Sequence, residues 1–102
     1  MFEIRMGGQG EVVLEGRLDA AQCDKALRFL DAVATPRDVD LGALEYISSA
    51  GLGVLLKTQK RAMAAGRGLR LLNVNRHIFD ILRYAGFDKL FEVTRAGGPP
   101  PA

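Results

Sequence analysis

The chain opens with an alternation of apolar and polar residues that is typical of β-strands. Residues 2–6 alternate with a period of two, which predicts a strand with one buried face. Three glycines within residues 7–10 predict a turn, because glycine adopts positive φ angles at no steric cost. Residues 12–18, rich in Val and Leu, predict a second strand. The two strands and their turn together predict a β-hairpin.

The next segment repeats its apolar residues at helical spacing. Asp19 ends the second strand and suits the N-cap position of a helix, and Pro36 stops that helix. Residues 39–41 predict a short third strand, followed by a connection over residues 42–47. The predicted buried stripe of this first helix consists of Cys23, Ala26, Leu27, Leu30, Val33 and Ala34.

A second helix is predicted over residues 50–65, directly after two serines. Steps of about 100° per residue place Ala50, Val54, Lys57 and Arg61 on the face turned away from the core. A glycine-rich segment over residues 66–68 supplies the expected helix end. The predicted buried face consists of Leu52, Leu55, Leu56, Gln59 and Met63.

The last third of the chain predicts one more strand and one more helix. Residues 69–74 form the strand, Asn75 is the N-cap of the helix, and Gly86 suits the left-handed position that ends it. Residues 90–93 predict a final short strand. The Gly- and Pro-rich residues 96–102 have no means to pack and predict a disordered tail.

This order of elements predicts one α/β domain over residues 1–95. Successive right-handed crossovers that move the same way across a sheet place their helices on the same face. We therefore expect a small mixed sheet of four to five strands, with helices mainly on one face. The other face is expected to stay partly open, as the alternation in residues 2–6 suggests.

Composition narrows the class of protein. The 102 residues carry a net charge of +2, too small by itself to indicate a nucleic-acid partner, and one cysteine, which excludes an internal disulfide or a cysteine-cluster metal site. No apolar run approaches the roughly 18 residues that span a membrane, and the N-terminus does not resemble a signal peptide. We expect a cytoplasmic protein that needs neither a membrane nor a metal.

The most informative segment is residues 38–56, which contains Tyr-Ile-Ser-Ser-Ala-Gly-Leu-Gly. This segment closely resembles the signature of the STAS domain of anti-sigma factor antagonists. The resemblance extends to Gly-Arg-Leu-Asp at residues 16–19, to the strand at residues 68–74 and to the helix and following segment at residues 81–91. The motifs occur in the family's order and cover nearly the whole chain outside the tail.

The resemblance implies a partner switch controlled by phosphorylation. In this family the unphosphorylated antagonist binds an anti-sigma factor, which is also a serine kinase of the ATPase-type fold, and so frees a sigma factor. Phosphorylation releases the antagonist, and a metal-dependent serine phosphatase resets it. The family's phosphorylated serine aligns with Ser49. Ser48 stands where many members have Asp, which makes it a rival acceptor, and either serine could instead only cap the helix.

The start of the second helix is the predicted partner-facing patch. A valine among small residues on an exposed face leaves room for a partner to approach closely; the alternative is an ordinary solvated helix face. The resemblance adds Asp19 to the kinase-facing surface, where it could also act as a helix N-cap. Besides Ser49, the patch comprises Asp19, Ser48, Ala50, Gly51, Gly53, Val54 and Lys57.

The residues give little support to an enzyme. Gly51 and Gly53 lack the third glycine of a dinucleotide fingerprint, and Ser49 lies outside a Gly-x-Ser-x-Gly motif. His77 is the only histidine, and Cys23 suits a small buried apolar residue better than a redox sensor. We expect no catalytic residue and no cofactor.

Two alternatives remain open at this point. The first is a STAS docking subunit that is not phosphorylated and serves a larger assembly, such as a membrane transport complex. The second is a small enzyme or nucleotide binder, which requires a polar cleft near Ser49.

Overall fold

Five strands and three α-helices alternate along residues 1–97, the part of the chain that this computed structural model describes. Two short 3-10 turns precede α1 and follow α3. The elements are β1 (Phe2–Met6), β2 (Val12–Leu18), a 3-10 turn (Ala20–Gln22), α1 (Cys23–Ala32), β3 (Asp38–Ile47), α2 (Ser49–Ala64), β4 (Arg70–Val74), α3 (Arg76–Tyr84), a 3-10 turn (Phe87–Lys89) and β5 (Glu92–Arg95).

The strands form one mixed sheet in the order β1-β2-β3-β4-β5. β1 and β2 pair antiparallel as the predicted hairpin, whereas β2 to β5 run parallel to one another. Each parallel pair is joined by one helix, and every crossover moves in the same direction across the sheet. Right-handed crossovers of this kind place all three helices on one face. The expected mixed α/β fold is therefore confirmed.

The core lies between the helices and one face of the sheet. In β2, Val12, Leu14 and Leu18 are buried, while Val13, Glu15 and Arg17 are more exposed. Each fully buried Leu contributes about 1.5–3 kcal/mol relative to an exposed one. The helices add fully buried side chains to the same apolar cluster: Ala26, Leu30, Leu55, Ile78 and Leu82.

The second face of the sheet is polar and open. Arg70 donates two hydrogen bonds to Asp38 across β3 and β4, at 2.6 and 2.9 Å. The hydrogen bond to Asp38 raises the pKa of the Arg70 guanidinium. Arg5 pairs with Glu15 at 2.9 Å across the hairpin. Such exposed or partly exposed pairs add little stability, but they keep this face soluble.

The structure corrects the prediction for the third strand. β3 extends from Asp38 to Ile47, so the predicted connection over residues 42–47 is strand. β3 pairs with β2 along its length, and register shifts interrupt that pairing at two places. The shifts space the buried residues of β3 unevenly, which hides the period of two. Those buried residues are Val39, Leu41, Leu44 and Ile47.

The last strand also begins later than predicted. β5 covers Glu92–Arg95 rather than residues 90–93. Phe91 belongs to the core, where its ring stacks on Phe87 with 5.2 Å between the ring centroids. The amides of Leu90 and Phe91 donate hydrogen bonds of 3.0 Å to the carbonyl of Phe87, so the chain is still in a turn here and β5 begins at Glu92.

The predicted tail over residues 96–102 is described only at its beginning. Ala96 and Gly97 form a turn after β5, and the amide of Ala96 donates a hydrogen bond of 2.9 Å to the carbonyl of Val74. Hydrogen bonding to β4 thus continues one residue beyond β5. The rest of the predicted tail, residues 98–102, lies outside the described residues.

Candidate functional site

The predicted site residues lie in two segments, one at Asp19 and one at Ser48 and Ser49. Both segments lie at the carboxyl edge of the parallel strands. Asp19 follows β2 and Ser48 follows β3, and the last residues of these strands, Leu18 and Ile47, are register partners. The amide of Ser48 donates a hydrogen bond of 2.9 Å to the carbonyl of Leu18. Asp19 and the two serines are therefore brought to one edge of the sheet by backbone pairing.

The two adjacent serines have different environments. Ser48 has the extended backbone of an N-cap residue, with φ −85° and ψ 170°, and its Oγ accepts a hydrogen bond of 3.1 Å from the amide of Gly51. Ser49 is the first residue of α2, and its side chain is exposed to solvent. The capping role therefore falls to Ser48, and the hydroxyl of Ser49 is the more accessible of the two.

Asp19 does not act as the predicted helix N-cap. It precedes the 3-10 turn rather than α1, and its side chain makes no capping hydrogen bond. Its Oδ1 atom is buried and has no hydrogen-bond partner within residues 1–97. A buried carboxylate oxygen without a donor is unfavourable for the folded protein. The capping interpretation is therefore wrong, and Asp19 remains a candidate for the partner surface.

Cys23 belongs to the same cluster, which the sequence analysis missed. Its thiol donates a hydrogen bond of 3.2 Å to the carbonyl of Asp19. Burial raises the pKa of the Cys23 thiol, the negative charge of Asp19 raises it further, and a hydrogen bond with Ser48 opposes both effects. The available signal was the spacing of four residues between Asp19 and Cys23, which is one helical turn.

This environment predicts that the Cys23 thiol reacts slowly with alkylating reagents. Because a raised pKa keeps Cys23 in its thiol form, we expect iodoacetamide to alkylate the native protein more slowly than free glutathione at pH 8. Unfolding in urea should remove the difference, and intact mass spectrometry follows both reactions. Native alkylation at the glutathione rate would contradict the assigned environment.

The structure corrects the predicted orientation of α2. Val54, predicted to be exposed, is only 4% exposed, and Met63, predicted to be buried, is 61% exposed. The buried face is shifted toward Val54 and Thr58, and the hydroxyl of Thr58 donates a hydrogen bond of 2.9 Å to the carbonyl of Val54, which allows this polar residue to be buried. Gln59 is buried as predicted: its Oε1 accepts from the amide of Leu69 at 2.7 Å, and its Nε2 donates to the carbonyl of Leu90 at 2.5 Å. Val54 is thus a core residue, and the predicted patch loses it.

The two glycines of α2 also have different environments. Gly51 is buried, and a Cβ atom there would lie 2.8 Å from Cγ1 of Ile47 and 3.0 Å from the carbonyl oxygen of Leu18. A Cβ atom on Gly53 would meet nothing within 4 Å. Gly51, assigned to the patch from the sequence, is therefore a packing residue that lets α2 approach the sheet, and Gly53 lies at the surface.

The remaining surface is small and mostly uncharged at its start. It consists of the solvent-facing residues at the beginning of α2, which we call the α2 patch: Ser49, Ala50, Gly53 and Lys57. Next to it, the guanidinium carbon of Arg17 lies 4.4 Å from the centroid of the Tyr46 ring, at the ends of β2 and β3. The sequence analysis did not find this pair, because it depends on the register between the two strands.

Such a patch suits contact with another protein. Short side chains let a partner backbone approach closely, and Lys57 provides a charge at one end.

Among residues 1–97, none of the helices combines the length and the apolar character that crossing a bilayer requires.

Comparisons with known proteins agree with this architecture. The family model described as "Mlab, STAS domain" matches residues 3–93. BtrV of Bordetella bronchiseptica, provisionally assigned as an anti-sigma factor antagonist, is 36% identical over 83 residues, which cover 81% of this chain and 65% of BtrV. The chain therefore spans about two thirds of the length of this curated relative.

Solved structures share the fold at low identity. An anti-sigma factor antagonist from Mycobacterium paratuberculosis is 20% identical, with a TM-score of 0.76 over 92% of this chain and 84% of that protein. The Bacillus cell fate determinant SpoIIAA in its phosphorylated form is 20% identical, with a TM-score of 0.65 over 91% of this chain and 90% of SpoIIAA. The match over residues 3–93 shows that this chain belongs to the STAS domain family, and its relatives here include anti-sigma factor antagonists.

Proposed function

We propose that the protein is an anti-sigma factor antagonist that works as a phosphorylation-controlled partner switch and has no catalytic activity of its own. The unphosphorylated form binds an anti-sigma factor, which is also a serine kinase of the ATPase-type fold, and so frees a sigma factor or another target. Phosphorylation of Ser49 releases the partner. A metal-dependent serine phosphatase restores the binding form.

The observation that carries this proposal is that the two adjacent serines have different roles. The hydroxyl of Ser48 accepts the hydrogen bond that caps α2, whereas Ser49 is exposed one residue further on. A kinase can reach Ser49 without opening the helix. Ser48 is half-buried and its hydroxyl is engaged by the amide of Gly51, so Ser49 is the more accessible acceptor.

A phosphate on Ser49 would change the surface and leave the fold intact. Phosphorylation adds about −1.5 to −2 charges at neutral pH. The helix N-terminus tolerates this charge, because its free amides and its dipole favour anions. A partner seated on the α2 patch meets the added bulk and charge directly, since Ala50 and Gly53 offer no long side chain to shield them.

The relatives support the same conclusion. BtrV is provisionally assigned as an anti-sigma factor antagonist. SpoIIAA has been solved in a phosphorylated form, so a protein of this fold can carry a phosphate.

Phosphate transfer tests the assignment of Ser49. We expect the wild-type protein to gain the mass of one phosphate when incubated with its cognate kinase and ATP, and the Ser49→Ala variant to gain none. Ser48→Ala is the matched control: it should still be phosphorylated, although loss of the cap lowers the free energy of unfolding by about 0.5–2 kcal/mol. Intact mass spectrometry measures the phosphate, and thermal unfolding measures the cap.

Two results would overturn this assignment. Phosphorylation of Ser49→Ala but not of Ser48→Ala would assign the site to Ser48. The absence of any phosphate from a kinase that binds the wild-type protein would favour the second candidate, a docking subunit of a larger complex. The open polar face of the sheet offers such a subunit a surface separate from the α2 patch.

A further inference from the structure

A cavity of about 310 Å³ lies at the end of the molecule opposite Ser49. Its walls come from the last turn of α2 and from the loops that lead into β3 and β4. Ser49 follows the carboxyl end of β3, whereas Arg37 directly precedes its amino end. At about 1.5 Å per residue, Arg61 in the cavity wall lies about 18 Å along α2 from Ser49.

Three arginines line this cavity, and no carboxylate does. Arg37, Arg61 and Arg67 share the walls with small or apolar residues, among them Pro36 and Ala65. Two carboxylates that do not line the cavity form long ion pairs with these arginines, beyond hydrogen-bond distance. Asp31 lies 3.7 Å from Nε of Arg61, and Glu92 lies 3.8 Å from Nη2 of Arg37. Three arginines against two paired carboxylates leave one net positive charge at the cavity wall.

Two of the three guanidinium groups are held in place by the backbone. Nη2 of Arg61 donates to the carbonyls of Leu30 and Val33 at 2.5 and 3.1 Å, which also satisfies the end of α1. Nη1 of Arg37 donates to the carbonyl of Gly68. These bonds orient the guanidinium groups before any ligand arrives, and preorganised donors bind anions more tightly than mobile ones.

The same two arginines keep donors that make no hydrogen bond, although Asp31 lies 3.7 Å from Nε of Arg61. Their Nε atoms are buried and have no hydrogen-bond partner within residues 1–97. Buried donors in native proteins are nearly always paired, so an unpaired one calls for an explanation such as an ion. The side chains of Arg37 and Arg61 remain 32% and 36% exposed, which leaves each of them partly open to a ligand.

We propose that this cavity binds a small oxyanion, the phosphate or carboxylate group of a small molecule. Guanidinium groups pair with both anions through two parallel hydrogen bonds. The volume is at the lower end of small-molecule sites, about 300–1,000 Å³, so it suits a compact metabolite rather than a peptide. Pro36, Ala62 and Ala65 offer contact to an apolar part of the ligand. This site is separate from the α2 patch and does not depend on the proposed switch.

Binding of inorganic phosphate and of acetate to the purified chain tests this site. With chloride at equal ionic strength as the reference, we expect saturable amide shifts over residues 34–37 and 61–67, and none at Ser49. Arg67→Gln should weaken binding about tenfold, since one charge-assisted hydrogen bond is lost. Arg67 is exposed, so this variant should fold normally. The matched control is Lys60→Gln, which removes the same charge from an exposed position of α2 that does not line the cavity.

A second variant tests the contribution of the cavity's shape to anion binding without changing its charge. Ala65→Leu should fill part of the cavity and weaken binding without removing a charge. Saturation by either anion, with loss in both cavity variants and not in Lys60→Gln, supports the site, and the stronger anion identifies the ligand class. Equal binding by all variants, or shifts concentrated at residues 48–51, would overturn the proposal. Because no kinase is present, failure here leaves the proposed switch untouched.

Discussion

Substitution of Ser49 by aspartate is expected to release the anti-sigma factor kinase from the protein. Ser49 is the first residue of α2 and faces solvent, so a carboxylate there enters the proposed interface directly. An unpaired or like charge in an interface costs several kcal/mol, which corresponds to at least about a hundredfold weaker binding. The measurement is a pull-down from a bacterial lysate, with the captured kinase identified by mass spectrometry.

Two further variants make this experiment decisive. Ser49→Ala should retain the kinase, because it removes the hydroxyl without adding charge or bulk. Gly53→Arg should lose it for a second reason: a side chain at Gly53 would project from the surface, where a Cβ atom meets nothing within 4 Å. Circular dichroism should be unchanged for both. Retention of the kinase by both Ser49→Asp and Gly53→Arg would show that the α2 patch is not the interface.

Substitution of the two helical glycines by alanine should change stability in opposite directions. At Gly51 the new Cβ would lie within 3.0 Å of the Leu18 carbonyl oxygen, and overpacking of this kind costs about 1–3 kcal/mol. At Gly53 the new methyl group meets no neighbour, and the better helix propensity of alanine stabilises α2 by about 0.8–1 kcal/mol. After the same propensity gain is allowed for at Gly51, the two variants should differ by about 2 kcal/mol.

Thermal unfolding of the two variants measures this difference. For a domain of this size, 1 kcal/mol shifts Tm by about 4–8 °C, so Gly51→Ala should melt about 8–16 °C below Gly53→Ala. The two substitutions lie in one helix and share the same chemistry, which makes each the control for the other. Equal melting temperatures would mean that the close approach of α2 to the sheet is not what requires Gly51.

Local signals in the sequence predicted the element ends most accurately. Asn75 is the N-cap of α3, since its Oδ1 accepts from the amide of Ile78 at 2.9 Å, and Gly86 has the left-handed φ of 78° expected after that helix. Both features depend on one residue and its immediate neighbours. The hairpin and the helix that follows Ser48 were predictable for the same reason.

Features that depend on distant residues were predicted less well. The length of β3 follows from its pairing with β2, which no periodicity in β3 itself reveals. The prediction that Val54 is exposed was wrong because the buried face of α2 also includes Thr58, a polar residue that no apolar pattern assigns to the core. The roles of Ser48 and Ser49, in contrast, were left open by the sequence and are distinguished by one hydrogen bond.

The hydrogen bond from the Ser48 amide to the Leu18 carbonyl also makes the candidate site depend on folding of the chain. It joins segments about thirty residues apart, so the serine loop takes its shape only after β2 and β3 have paired. A kinase that recognises this loop recognises tertiary structure rather than a linear motif. The kinase would therefore not phosphorylate newly synthesised or damaged chains, and only folded molecules would take part in the switch.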